Sequence, residues 1–195
     1  MSKYTVMLTD TVYPDATLEA EELKKVDAEI VRPKDTSVQS LIETGKNCDG
    51  ILCDYVEITA EVIAGLNQCK AIAVAGIGVN NIDLKAAAEK GIKVANVPHY
   101  CLGEVADHAM ALFLACAKKV TRFNKAVDAG RWDPLEFPPV YRLADQNFCI
   151  FGFGSIARKA AKRAQGFEMD VYAYDPYLPD EVFASHGVKR VGSLV

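Results

Sequence analysis

The sequence predicts an α/β fold with parallel sheets, on three observations. Short apolar runs alternate with helix-patterned stretches through the first hundred residues. A glycine-rich turn joins an apolar run to a helix at 148–157, and a later run ends on an acidic residue, Asp175, 21 positions after Gly154. Alternation of this kind builds βαβ units, which need a parallel sheet.

Strand-like runs fall at 4–8, 29–31, 50–53, 71–75 and 93–97, with helical stretches between them at 18–25, 38–44, 59–66 and 82–90. Ser37 and Thr59 stand where an N-cap is needed, and Gly91 follows its helix as a C-cap would. One long helix is predicted over 103–129, apolar enough to be buried along its first half, and Gly130 ends it. A Pro-rich connection follows at 132–139. From Gln146 a second α/β unit begins, continuing through a short helix at 180–185 and a strand at 188–191. The division expected is therefore 1–101 and 102–195. A dinucleotide fold uses about six parallel strands, so the second domain is expected to be incomplete, with an apolar edge and face left open.

A chain of 195 residues that is 50% apolar can bury a sizeable core, and its net charge of −4 with no basic run gives no footprint for nucleic acid or an anionic membrane. The six cysteines are scattered without a Cys-x-x-Cys pair. They read as small buried hydrophobes in a reducing compartment, with neither a disulfide framework nor a zinc site. The N-terminus lacks the layout of a signal peptide, and the longest apolar run, 109–117, is too short to span a bilayer. These readings predict a cytoplasmic protein without membrane or nucleic-acid partners.

The stretch 148–157 has the chemistry of a dinucleotide site. The apolar run at 148–151 leads into Gly152-Phe153-Gly154-Ser155-Ile156-Ala157. Gly152 permits a tight turn, Gly154 lets the backbone approach a pyrophosphate, and the small Ala157 lets the helix pack on the strand. The first-turn N–H groups of Ser155, Ile156 and Ala157 face the phosphates at the positive end of the helix. Asp175, followed by Pro176, would accept hydrogen bonds from the adenosine ribose. A carboxylate there disfavours a 2′-phosphate, since like charges about 4 Å apart repel by roughly 4 kcal/mol at an effective dielectric near 20. NAD is the cofactor expected.

Two further blocks join this one: Ala75-Gly76-Ile77-Gly78-Val79-Asn80-Asn81-Ile82-Asp83-Leu84, and Asn96-Val97-Pro98-His99-Tyr100 leading to Val105-Ala106-Asp107-His108. Together with the glycine turn and Tyr174-Asp175-Pro176-Tyr177, they resemble the signature blocks of the NAD-dependent D-isomer-specific 2-hydroxyacid dehydrogenases, in order and over essentially the whole chain. Asp175-Pro176-Tyr177-Leu178 is also similar to the C-terminal-binding-protein branch, whose members act as NAD-sensing co-repressors. The resemblance implies a flavodoxin-like substrate domain followed by a Rossmann NAD-binding domain, and a homodimer. It implies backbone contacts from Ile77, Gly78 and Val79 to a substrate carboxylate, Tyr100 lining the substrate pocket, and Val105 near the nicotinamide. Cofactor contacts carried over in the same way are Gly152, Phe153, Gly154, Ser155, Ile156, Ala157, Asp175 and Pro176.

The partner so implied is a small 2-keto or 2-hydroxy acid. The departures are Val74 where many members carry arginine, Asn80 for aspartate and Asp107 for glutamate. The arginine, glutamate and histidine that perform the chemistry in the family are expected beyond Val195, so no catalytic residue is assigned. Arg158 and Arg163 read as a solvated helix face and His186 as a surface residue. His108 reads as a structural histidine on a buried helix, and Cys53, without a paired base, is no nucleophile.

Overall fold

The computed structural model describes residues 2–133, 135 and 139–193. The chain divides into two compact units, Met1–Tyr100 and Cys101–Val195.

In the first unit, β1 (Tyr4–Leu8), β2 (Ala28–Val31), β3 (Gly50–Cys53), β4 (Ala71–Val74) and β5 (Lys93–Ala95) form one sheet in the order β2-β1-β3-β4-β5. Every pairing is parallel, with Val6 opposite Ile30 on one side and Gly50 on the other. The helices α1 (Thr17–Lys24), α2 (Val38–Gly45), α3 (Ala60–Gly65) and α4 (Leu84–Glu89) connect the strands. The sheet and helices bury Met7, Ile51, Ile72, Leu41, Val62 and Ile63 in a common cluster. Each such side chain contributes about 1.5–3 kcal/mol on leaving water. Close helix packing explains Gly65, where an added Cβ would stand 2.7 Å from Ile42 Cγ2.

The caps are as expected. Ser37 accepts the Ser40 N–H and Thr59 the Val62 N–H, each at 3.3 Å. Gly91, at φ +72°, closes α4 while Ile92 N–H bonds back to Ala87 O at 2.8 Å. The strands β4 and β5 stop at Val74 and Ala95, short of the predicted 75 and 97, although the Ala75 N–H still bonds to Cys53 O and the Val97 N–H to Gly76 O, each at 2.9 Å.

In the second unit, β6 (Asn147–Phe151), β7 (Asp170–Tyr174) and β8 (Lys189–Arg190) are parallel and adjacent in that order. They are accompanied by α5 (Leu102–Ala117), α6 (Val120–Asp128), α7 (Ser155–Gly166) and α8 (Asp180–Ser185). The buried alanines 160, 161 and 164 give α7 a smooth face, and Met110, Phe153, Val171, Phe183 and Val188 complete the core.

The single helix predicted over 103–129 is two helices. Lys119 takes a left-handed conformation, φ +54°, between α5 and α6. The lysines at the break hold the following chain, with Lys118 Nζ on Tyr141 O and Lys119 Nζ on Pro139 O, each at 2.8 Å. The buried face of α5 is also narrower than predicted, a stripe of Leu102, Ala106 and Met110. His108 lies outside that stripe and is exposed, contrary to its reading as a buried structural residue. Of the predicted connection at 132–139, residues 134 and 136–138 lie outside the described residues, as do 194 and 195. Cys48, Cys53 and Cys69 are buried as expected, whereas Cys116 and Cys149 are exposed: Cys149 alternates with Phe148 and Ile150 on β6 and takes the open side of the strand.

Candidate functional site

In the second unit, the turn after β6 is built around one residue that needs glycine. Gly152 has φ +82° and donates its N–H to Tyr174 O at 2.8 Å, which ties the end of β6 to β7. Phe153 is fully buried and stacks on Phe183 with ring centroids 5.1 Å apart. Its side chain anchors the turn, and its N–H is given to Asp175 Oδ2 at 2.9 Å. Phe153, expected as a cofactor contact, is instead the support of the site, because its side chain is buried and its amide is already engaged by Asp175.

Beyond it, Gly154 leaves open space, since a Cβ there would meet no heavy atom within 4 Å. Gly154 caps α7 without a side-chain hydrogen bond. The N–H groups of Ser155, Ile156 and Ala157 have no acceptor among the described residues. Three donors converge at the positive end of a 12-residue helix. Asp175 stands beside them, its carboxyl held below the usual range by the Phe153 and Tyr177 N–H groups. Open approach, free donors and an ionised carboxylate together fit a dinucleotide: donors for the pyrophosphate and an acceptor for the ribose diol. Pro176 flanks Asp175 and is exposed; Val105 belongs to a different element, the first turns of α5.

In the first unit, a cavity of about 330 Å³ opens at the carboxyl ends of β1, β3 and β4. The strand order reverses between β1 and β3, and open parallel sheets bind ligands at that point. Ile77, Gly78 and Tyr100 line the cavity, whereas the Val79 side chain packs on the hydrophobic cluster. From Gly76 to Asn81, no backbone N–H has an acceptor among the described residues. A run of successive unengaged N–H groups beside a cavity can receive an anion.

Side chains to which the sequence analysis gave no role hold this loop in place. Asn81 Nδ2 donates to Val56 O at 3.1 Å and Asp54 O at 3.3 Å, and Asn96 Nδ2 donates to Ile77 O at 2.7 Å. Asp10 receives the N–H groups of Asp54 at 2.9 Å, Tyr55 at 2.7 Å and Val56 at 3.2 Å. Burial pushes its carboxyl up, but these bonds and the Thr9 hydroxyl outweigh that and leave it below the ordinary value. The available signal was position: Asp10 and Asp54 stand one or two residues beyond an apolar run.

Other polar residues have structural partners. Arg158 donates through Nε to Phe153 O at 3.0 Å. Arg163 is more than a solvated side chain, because it pairs with Asp107 and so joins α7 to α5. His186 Nδ1 lies 2.8 Å from Val182 O. Burial pushes the Cys53 thiol up to about 12, which suppresses the thiolate a nucleophile requires. Among the described residues, no group of three His, Cys, Asp or Glu side chains is placed to hold a metal, and no helix is long and apolar enough to cross a membrane.

Residues 6–190 match the family described as D-isomer specific 2-hydroxyacid dehydrogenase, catalytic domain. The chain is 34% identical over 190 residues to the D-3-phosphoglycerate dehydrogenase of Methanocaldococcus jannaschii, covering 97% of this chain and 35% of that protein. It is 34% identical over 183 residues to the hydroxypyruvate reductase of Thermotoga maritima, covering 92% of this chain and 58% of that one. The fold is shared with the D-lactate dehydrogenase of Aquifex aeolicus, whose structure holds NAD and lactic acid. The TM-score is 0.84 at 23% identity, over 96% of this chain and 56% of that one.

Proposed function

The chain belongs to the D-isomer specific 2-hydroxyacid dehydrogenase family, and on that footing we propose that it serves an NAD-dependent interconversion of a D-2-hydroxy acid and a 2-keto acid by hydride transfer. Met1–Tyr100 is the substrate-binding unit and Cys101–Val195 the NAD-binding unit. The observation that carries this reading is the corner where the unengaged N–H groups of Ser155, Ile156 and Ala157 meet the carboxylate of Asp175.

Bound NAD supplies the hydride donor and acceptor. The residues of this chain bind and orient. The α7 N-terminus takes the pyrophosphate, Asp175 takes the adenosine ribose and repels a 2′-phosphate, and the loop at Ile77, Gly78 and Val79 takes the substrate carboxylate. Val105 contributes apolar surface for the nicotinamide, and Tyr100 part of the substrate wall. The family resemblance implies an arginine as cation for the substrate carboxylate, a histidine as acid for the developing alkoxide, and a glutamate that pairs with the histidine and tunes it.

The test is direct. The full-length protein is titrated with NAD and assayed for NADH oxidation on pyruvate, glyoxylate, hydroxypyruvate and bulkier 2-keto acids. Micromolar NAD binding with turnover of at least one acid is expected; NAD binding with silence on all of them sinks the reading. The co-repressor reading rests on residues 175–178 alone and has no second observation behind it. A homodimer in the cytoplasm completes the proposal, supported by the half-exposed Leu112, Val120 and Val127 on α5 and α6.

A further inference from the structure

The cavity at the carboxyl ends of β1, β3 and β4 has one place for an anion and a wall that opposes a second. The place is the run of free N–H groups in the loop after β4. On the side of the β1 and β3 loops, the lining is Val12, Tyr13, Tyr55 and the carboxylate of Asp54. No Lys, Arg or His is among the described residues that line it. Asp54 is fixed in that wall, because its Oδ2 accepts the Val12 N–H at 3.0 Å. Burial pushes its carboxyl up, the Val12 N–H pulls it down, and the charges of Asp10 and Glu19 push it up again. The second carboxylate behind the wall is Asp10, locked to the Asp54, Tyr55 and Val56 amides. The wall is therefore a region of negative potential faced with phenol rings.

We infer that this site selects 2-keto acids whose single anionic group is the carboxylate, and that Asp54 is the residue that discriminates against acids carrying a phosphate. The inference rests on the dehydrogenase reading above and narrows it to a substrate class. A carboxylate seated on the loop amides turns the far end of the substrate toward Asp54 and the tyrosines. An aromatic, aliphatic or hydroxylated tail meets ring faces and hydroxyl groups there. A phosphate of nearly two negative charges meets a carboxylate with no cation among the described residues that line the cavity, and like charges at that range are rejected strongly. Rejection by an unsatisfied or opposed polar group is the more powerful form of discrimination, well beyond what a missing methylene gives.

The experiment compares hydroxypyruvate, phenylpyruvate and 3-phosphohydroxypyruvate as substrates for NADH oxidation by the full-length protein, in the wild type and in Asp54→Asn. The amide keeps an oxygen for the Val12 N–H while removing the charge. The expected result is a kcat/KM for the phosphorylated acid about 100-fold or more below that for hydroxypyruvate. That gap should shrink at least about tenfold in Asp54→Asn, and should narrow in the wild type as salt is raised. Equal or better use of the phosphorylated acid overturns the inference, as does a gap that Asp54→Asn leaves unchanged. Should NAD bind while none of the acids is reduced, the dehydrogenase reading fails separately. Calorimetry with D-glycerate and 3-phosphoglycerate then decides the inference: weaker binding of the phosphorylated acid supports it, and tighter binding overturns it.

Discussion

Asp175 accepts the N–H of Phe153 at 2.9 Å, across 22 residues of sequence. The bond joins the end of β7 to the glycine turn after β6, so the acid assigned to the ribose also holds the turn assigned to the pyrophosphate. Removing the carboxylate therefore has two effects. Asp175→Ala is expected to weaken NAD about tenfold and to narrow the preference for NAD over NADP, because the like-charge repulsion goes with it. Fluorescence titration with both nucleotides measures this; an unchanged NAD/NADP ratio contradicts it.

The two glycines of the turn are expected to respond differently. Gly152→Ala forces a side chain into φ +82° and should lower stability by about 1 kcal/mol or more. Gly154 has an ordinary φ of −74° and open space at its Cβ. Gly154→Ala should leave the melting temperature nearly unchanged and weaken NAD, because the new methyl stands where the pyrophosphate must approach. Melting curves with and without NAD separate the two.

Asp10 serves three backbone amides at once. Asp10→Ala leaves those donors without an acceptor and should cost about 3 kcal/mol in urea denaturation. Its folded pKa lies below the unfolded value, so its contribution is complete above the ordinary carboxylate range and disappears as pH falls through that range and below it. Asp54, pushed in the other direction by burial, favours the folded state as it protonates and so offsets part of the loss. Asp10→Asn should flatten the acid limb of the stability profile.

The cysteines divide by accessibility. Burial pushes Cys48 up to about 11 and Cys53 up to about 12, and raises Cys69 in the same sense. Brief treatment of the native protein with a maleimide should modify the exposed Cys116 and Cys149 and spare the three buried thiols, as read by peptide mass spectrometry. Rapid labelling of Cys53 would mean that its strand is not packed as described.

The strands and the glycine turn could be read from the sequence because they depend on local signals: apolar runs of strand length, caps at Ser37 and Thr59, and a glycine that must take positive φ. The break at Lys119 could not, because lysine favours helix and the left-handed turn there is held by bonds to carbonyls 20 and more residues away. The roles of Asp10, Asp54 and the Asn81 side chain escaped notice for a similar reason. These roles arise when the ends of β1, β3 and β4 come together, and a position just beyond an apolar run marks Asp10 and Asp54 without naming the amides they meet. Val79 combines two roles that its sequence block does not separate: its side chain packs on the hydrophobic cluster, while its backbone N–H has no acceptor among the described residues.

The placement of β1 between β2 and β3 also governs how the first unit can assemble. A chain made from its N-terminus produces β1 first, yet Val6 gains its second neighbour only when Gly50 has been made and α2 has crossed back. Every strand pairing in this sheet closes a long loop before it is rewarded, which slows folding relative to a helical bundle of the same size. Until residues 50–53 arrive, one edge of β1 is an open template for another chain. Nascent-chain crowding, more than the stability of the finished unit, is then the condition under which this protein is most exposed to misassembly.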